Sequence, residues 1–288
     1  MLQNNIIRYC FIFFLILQII ISALLGCSNS GQNLDSWAHI EPGLALGIFD
    51  APILSDYGDS HITVLRINPQ FYKIDIYCES YYGGLKRTPR QWAEQFKLKV
   101  AINAGMYATD YITSVGYLKS GSHLNNPHLN SHHKTVFACG PLDPNIPAAQ
   151  VIDLNCDDFN LWRDKYSSFS QCIRMINCQQ ENVWEPQAKK WSIACIGMDK
   201  SANLLLIHCR SPYSVHEFIN MLLELPLNIL NTMYLEGGPA ASLYFSLGGI
   251  EKELVGSHEA SFMMGENNQT AWSVPNIIGI KNLEKQKK

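Results

Sequence analysis

Apolar and polar positions along this chain repeat mostly with the period of a strand. Residues 61–67 and 71–78 alternate or run apolar around Asn68-Pro69, a spacing that predicts a hairpin. Further strands are predicted at residues 99–103, 115–119 and 135–138, with an alternating run at 170–176. Residues 191–198 and 203–209 flank Asp199-Lys200-Ser201-Ala202 and predict a second hairpin. Two segments carry helix signals. Thr88 caps and Pro89 opens a helix through Phe96. Ser214-Val215-His216-Glu217 is a capping box, and Val215, Phe218, Ile219, Leu222 and Leu223 then share one face. His216 reads as a solvated first-turn residue. Many short strands with two helices predict an α+β fold: a curled mixed β-sheet with flanking helices, in a single domain.

The N-terminal pattern is different. Arg8 precedes an apolar run from Phe11 to Leu25, which suits the hydrophobic region of an export signal. The run ends at Leu24-Leu25-Gly26-Cys27 and a polar stretch follows. This resembles the bacterial lipoprotein signal, whose cysteine is lipidated; the alternative is an ordinary secretory signal with a chance cysteine. The resemblance implies a leader and lipidated cysteine at 1–27, then a tether at 28–42. A folded domain at 43–282 and a polar tail at 283–288 complete the organisation. Two or more acyl chains on Cys27 anchor a protein stably to a membrane. The resemblance further implies, from Ser28 rather than aspartate after the cysteine, the outer membrane, facing the periplasm.

Composition narrows the partners. The 288 residues are 47% hydrophobic, which supports a real core. A net charge of −3 leaves no basic field for nucleic acid. Beyond Cys10 and Cys27, seven cysteines remain, an odd number for an exported chain. Several sit in apolar runs, where cysteine acts as a small hydrophobe; a local Cys172–Cys178 bridge is the one pairing considered. The His128, His132 and His133 tract lies in a polar loop with no helical metal spacing. Asp153, Asp157 and Asp158 read as a solvated group, with calcium as the alternative. No cofactor is implied.

Candidate chemistry centres on residues 234–245, Tyr-Leu-Glu-Gly-Gly-Pro-Ala-Ala-Ser-Leu-Tyr-Phe. An apolar run ends in Glu236 and two glycines, then a second apolar run begins. This predicts strand, tight turn, strand, with the acid at the bend. Gly237 and Gly238 permit close approach of a ligand, and freed N–H groups there can hold an anion. Asn103 likewise ends a strand, with Gly105 two residues on. If the two strands are neighbours, amide and carboxylate converge at one rim.

The segments Ile102-Asn103-Ala104-Gly105-Met106-Tyr107, Ser114-Val115-Gly116 and Leu235-Glu236-Gly237-Gly238-Pro239, with Ser242-Leu243-Tyr244, resemble the phosphodiester glycosidase domain. Gln171-Cys172-Ile173-Arg174 and Trp191-Ser192 occur in the expected order. The similarity runs from about His61 to Ile280. Better-known members carry Asp-Gly-Gly; here the acid is Glu236, one methylene longer. The resemblance implies a hydrolase that frees a sugar from an anomeric phosphodiester, here in a bacterial glycan. Such chemistry passes through oxocarbenium-like charge and needs a carboxylate as base or nucleophile. Phosphate leaves readily, so a strong general acid matters less than donors that hold it. The resulting assignment makes Glu236 and Asn103 catalytic. Substrate contacts fall to Gly105, Met106, Gln171, Arg174, Ser192, Gly237, Gly238 and Ser242, with Arg174, or else Arg210, on the phosphate. Two other classes stay open: a non-catalytic glycan-binding lipoprotein, and a metal-dependent phosphodiesterase.

Overall fold

The structure, a computed structural model, describes residues 37–83, 86–258 and 267–283. Cys27 and the leader lie outside the described residues, as do 284–288 of the polar tail. Three sheets carry the fold, and every strand pairing in them is antiparallel.

The first sheet holds β1 (Trp37–Glu41), β2 (Leu44–Asp50) and β3 (His61–Ile67). Beside them lie β11 (Arg174–Ile176), β12 (Trp191–Asp199), β13 (Leu204–Tyr213) and β14 (Ile229–Gly237). Their spatial order is β1-β2-β3-β13-β12-β14-β11. The second sheet takes β4 (Tyr72–Cys78), β5 (Val100–Asn103), β15 (Ser242–Leu247), β16 (Ile250–Val255) and β17 (Asn276–Asn282), in the order β16-β15-β5-β17-β4. The third takes β6 (Leu118–Ser120), β7 (His123–Asn126), β8 (Thr135–Pro141), β9 (Ala149–Asp153) and β10 (Tyr166–Cys172), in the order β7-β6-β10-β8-β9.

The expected α+β class is therefore corrected: the described chain is mostly β. Its α-helices are a single turn, α1 (Glu79–Tyr82), and two longer ones, α2 (Pro89–Phe96) and α3 (Val215–Glu224). All pairings are antiparallel, those of distant strands such as β3 with β13 and β5 with β17 included, so no mixed sheet arises. Both longer helices start where their caps predict. Thr88 and Gln91 close one capping box, Ser214 and Glu217 the other. His216 is less solvated than expected; its Nδ1 lies 2.5 Å from the Trp184 carbonyl.

The hairpin expected at 61–78 does not form. β3 stays in the first sheet, whereas Asn68 and a 3-10 turn at Pro69–Phe71 lead β4 into the second. The 170–176 run is also divided, with β10 in the third sheet and β11 in the first. Both departures have one cause. The apolar faces of β3, β4 and β10 pack into one core shared by all three sheets, so burying them does not fix which sheet each strand joins. The largest core joins all three sheets, with Leu65, Ile102, Phe137, Leu206 and Ile278 all buried in it.

The expected Cys172–Cys178 bridge is corrected too. Cys178 pairs with Cys156, their Cα atoms 6.7 Å apart. Cys172 is a buried free thiol in the core, as are Cys78, Cys139, Cys195 and Cys209. Cys172, the last residue of β10, is committed to the core, whereas Cys178 lies past β11, next to Cys156.

Candidate active site

Glu236 owes its position to a β-bulge. Ala194 of β12 pairs with Glu236, but the adjacent Cys195 pairs with Tyr234, so Leu235 is an extra residue in β14. A bulge changes which face the following side chain takes. Ala194 also pairs with His208 of β13. Directly opposed residues share a face, so His208, Ala194 and Glu236 form one row across three strands, with only a methyl group in the middle.

Gly238–Ala240 then forms a 3-10 turn that carries the chain from the first sheet into β15 of the second. Gly238 opens it at φ +60°, in the left-handed region that glycine enters without strain. Both sheets hold this turn. From β5, Asn103 Nδ2 donates to the Ala240 carbonyl at 3.0 Å, and Asn103 Oδ1 accepts the Ser242 N–H at 2.8 Å. From β13, His208 Nε2 lies 3.3 Å from the Ala241 carbonyl. Burial lowers the His208 pKa to about 4, so its ring is neutral at ordinary pH.

Around Glu236 the site is apolar. Its carboxylate is hemmed in by protein, although the residue keeps part of its surface open. One oxygen accepts the Gly237 N–H at 3.0 Å. Burial pushes the carboxyl up to about 7, and that single N–H only partly opposes the shift. Among the described residues no cation forms an ion pair with it. Its charge is felt by Tyr107, Tyr234 and Cys172, whose own burial already raises them.

The raised value has a consequence for stability. Between about pH 4.5 and 7 the folded chain keeps a proton that an unfolded glutamate has released. The folded state then binds more protons, so stability falls as pH rises through that window and levels above it. Melting wild type and Glu236→Gln across the window tests this. The glutamine variant is expected to gain relative stability as pH rises; a constant difference would place the carboxyl at its ordinary value.

Gly237 is required by contact. A Cβ there would strike the Tyr234 hydroxyl and lie 2.6 Å from Trp191 Cδ1. Gly237→Ala is expected to cost about 1–3 kcal/mol in urea unfolding, as overpacking does. No measurable loss would mean that Tyr234 and Trp191 yield freely.

Several expected substrate contacts are instead spent within the protein. Asn103 is 1% exposed and uses both ends of its amide on the turn. It does not adjoin Glu236 through strand pairing, because β5 and β14 lie in different sheets. Gln171 accepts from the Tyr117 and Asn130 N–H groups and donates to the Asn130 and His133 carbonyls. It therefore anchors the histidine loop. Arg174 pairs with buried Asp153 at 2.8 Å, beside the Cys156–Cys178 bridge, where Asp153 also accepts the Cys178 N–H. Ser192 is fully buried; its hydroxyl donates to the Arg210 carbonyl and accepts from Ser257 and His258 N–H groups. Arg210 in turn donates to the Val255 and Asn268 carbonyls. Ser242 completes the Asn103 clamp. Gly105 is buried against Cys172 and Ser170, and Met106 packs between two core clusters.

Among the described residues, the metal-like trio is Asp153, Cys156 and Cys178. Its two sulfurs are joined to each other, its carboxylate faces Arg174, and Glu236 is not part of it.

Sequence reading missed the cleft beside the site. Glu79, Lys86, Tyr107, Tyr111 and Trp272 help line a cavity of about 300 Å³. Tyr107 is its link to Glu236: it lines the cavity, and the Glu236 charge helps raise its pKa, although Glu236 itself is not in the lining. Tyr107 and Tyr111 rings lie 5.7 Å apart, and Lys86 Nζ stands 5.3 Å over Tyr111. Tyr107 closes the Ile102–Tyr107 segment, which was a usable signal. Lys86 and Trp272 come from distant, unpatterned stretches and offered none. His208, a lone histidine in the apolar run 204–209, was a signal overlooked.

The sequence profile described as phosphodiester glycosidase matches residues 96–281. No curated protein sequence matches the chain. Among solved structures, the zebrafish N-acetylglucosamine-1-phosphodiester alpha-N-acetylglucosaminidase catalytic domain, auto-inhibited by its pro-peptide, is similar with TM-score 0.58 at 15% identity. The match covers 84% of this chain and 85% of that one. A hypothetical protein from Synechocystis is similar with TM-score 0.57 at 13% identity, over 84% of this chain and 62% of that one. At these identities the likeness is one of fold.

Proposed function

From the premise that this chain belongs to the phosphodiester glycosidase family, a family of hydrolases, we propose that it frees a sugar from an anomeric phosphodiester in a bacterial glycan, with Glu236 as the reacting carboxylate. The observation that carries the role of Glu236 is its setting: a partly open carboxylate at a strand end, without an ion-pair partner among the described residues, raised to about 7, whose charge acts on Tyr107 of the cleft lining. A phosphate leaving group departs as a stable anion and needs no proton at the transition state. One carboxylate then suffices to meet the oxocarbenium charge, as nucleophile or as base toward water. A value near 7 suits either role, since half of the groups are ionised there. The neighbouring cleft supplies the remaining needs. Tyr107, Tyr111 and Trp272 offer faces for sugar rings, and Lys86 offers a cation for an anionic group.

Asn103 and His208 act in this reading as positioning residues. They hold the turn that follows Glu236 and set the angle at which its carboxylate leaves β14. Arg174 keeps a structural role, so phosphate recognition moves to Lys86 and backbone N–H groups.

The site of action follows from the leader. We place the protein at the outer membrane, facing the periplasm, through lipid on Cys27. Cys27→Ala is expected to release it from membranes or to block its maturation. Unchanged mass and membrane partition would remove the anchor from this proposal. The catalytic reading is tested by turnover of a 1-phosphodiester sugar. Glycan binding without turnover in the wild type would favour the non-catalytic alternative.

A further inference from the structure

A second cleft lies on the far side of α1. Glu79 of this single turn lines the cavity next to Tyr107, whereas Tyr81 and Tyr82 line another of about 360 Å³. That cavity forms where β4, the edge strand of the second sheet, meets β10 and the β6–β7 turn of the third. None of the residues assigned to the reaction lines it.

Its lining has three properties that belong together. The first is charge. Lys73 of β4 and Lys281 of β17 are direct cross-strand partners, and both line the cleft. Like charges placed opposite one another destabilise a sheet pair. Asp75, the one carboxylate in the lining, is 3.1 Å from Lys73 and offsets only that cation. Lys281 has no ion-pair partner among the described residues, so the cleft keeps a net positive charge.

The second property is aromatic surface. Tyr81 is 57% exposed and packs edge-on against Tyr82 at 4.9 Å, while Tyr82 rests on Phe96 at 4.5 Å. Tyr81 is thereby held with its ring open to solvent. An exposed aromatic backed by a packed cluster offers a rigid face on which a sugar ring can stack, here with His123 5.2 Å from the Tyr81 ring.

The third is uncommitted hydroxyl groups. The Ser122 and Ser167 hydroxyls have no hydrogen-bond partner among the described residues, and both serines line the cleft. The Ser168 hydroxyl accepts the Gly121 N–H at 3.0 Å, which leaves its own proton to donate. No Cβ contact crowds Gly121, so the turn floor is open.

We propose that this cleft is a second glycan-binding site, selective for acidic saccharide units, with Lys281 and Lys73 meeting the carboxylate or phosphate and Tyr81 stacking on the ring. Its position across one helical turn from the reaction cleft suits a chain long enough to occupy both. The site would hold an acidic polymer while a neighbouring bond is cleaved. It is a binding function separate from the reaction, and it stands whether or not Glu236 is catalytic.

Titration calorimetry on the full folded protein tests it, with a galacturonic acid hexamer as acidic probe and cellohexaose as neutral probe. The acidic hexamer is expected to bind, to bind more weakly as salt rises, and to bind more tightly than the neutral one. Lys281→Glu is expected to weaken it by about tenfold, through charge reversal, and Tyr81→Ala by a similar factor through lost stacking. Thermal melts identify any variant that has lost its fold; Lys281→Gln, with no charge reversal, then serves in its place with a smaller loss. Turnover of a small 1-phosphodiester sugar should not change in these variants. Absence of binding by the acidic hexamer would overturn the proposal. So would equal affinity for both probes, or wild-type affinity in Lys281→Glu. A loss of small-substrate turnover in these variants would instead join the cleft to the reaction site and overturn its separate role.

Discussion

Glu236→Gln is expected to lower turnover of a 1-phosphodiester sugar by about 10²–10⁴-fold, the range lost when a single acid–base or nucleophilic group is removed. The replacement is nearly isosteric, and its amide can still accept the Gly237 N–H bond. It also removes a buried charge that the fold tolerates poorly, so the protein should remain folded and bind substrate at near wild-type strength. Loss of rate without loss of binding separates chemistry from recognition. In the wild type the rate should rise as the pH passes through about 7, because the base or nucleophile must be ionised. Wild-type turnover in the glutamine variant, or a profile flat between pH 5 and 8 (the interval on either side of that value), would take the role away from Glu236.

Asn103→Ala should have the largest effect on the fold. The substitution leaves the Ser242 N–H unpaired in a dry interior and reduces the Ala240 carbonyl to one donor, the Ser242 hydroxyl at 3.2 Å. The orphaned N–H costs about 1–3 kcal/mol, for a central value of about 2 kcal/mol. In a domain of this size that lowers the melting temperature by about 4–8 °C. The freed turn also lets Glu236 drift, so kcat should fall with the melting temperature. A substrate-contacting asparagine would behave differently, raising KM while the melting temperature stayed unchanged. The two readouts thus decide between the clamp seen in the structure and the sugar contact expected from the motif.

The gap between those two roles shows how far local pattern reaches. Asn103, Gln171, Arg174 and Ser192 stand out in the sequence because polar residues within apolar strands need a reason. The need is real in all four cases, and within the fold backbone groups and Asp153 meet it. A buried polar side chain must be satisfied, and the residue type alone does not say by what. Glu236 differs because its partner is a single N–H, and burial without compensation is what moves its pKa.

The helix starts at Thr88 and Ser214, the 191–209 hairpin and the turn at Gly237-Gly238 were legible because each rests on neighbours in sequence: a cap, a short turn, a glycine. The Glu236 motif was legible for the same reason. Sheet membership was not. β3 and β4, β10 and β11, and β14 and β15 are each consecutive strands that part into different sheets. A strand's apolar face carries no instruction about which neighbouring strand to join, so long-range packing decides. The same packing introduced the Leu235 bulge that sets the face of Glu236, and joined Cys178 to Cys156. It also brought Lys86, Tyr107 and Trp272 to one cleft. The sequence by itself determined which residues are able to react. Only the tertiary structure decided which of them remain unpaired, because that depends on every group the fold carries to within a hydrogen bond of them.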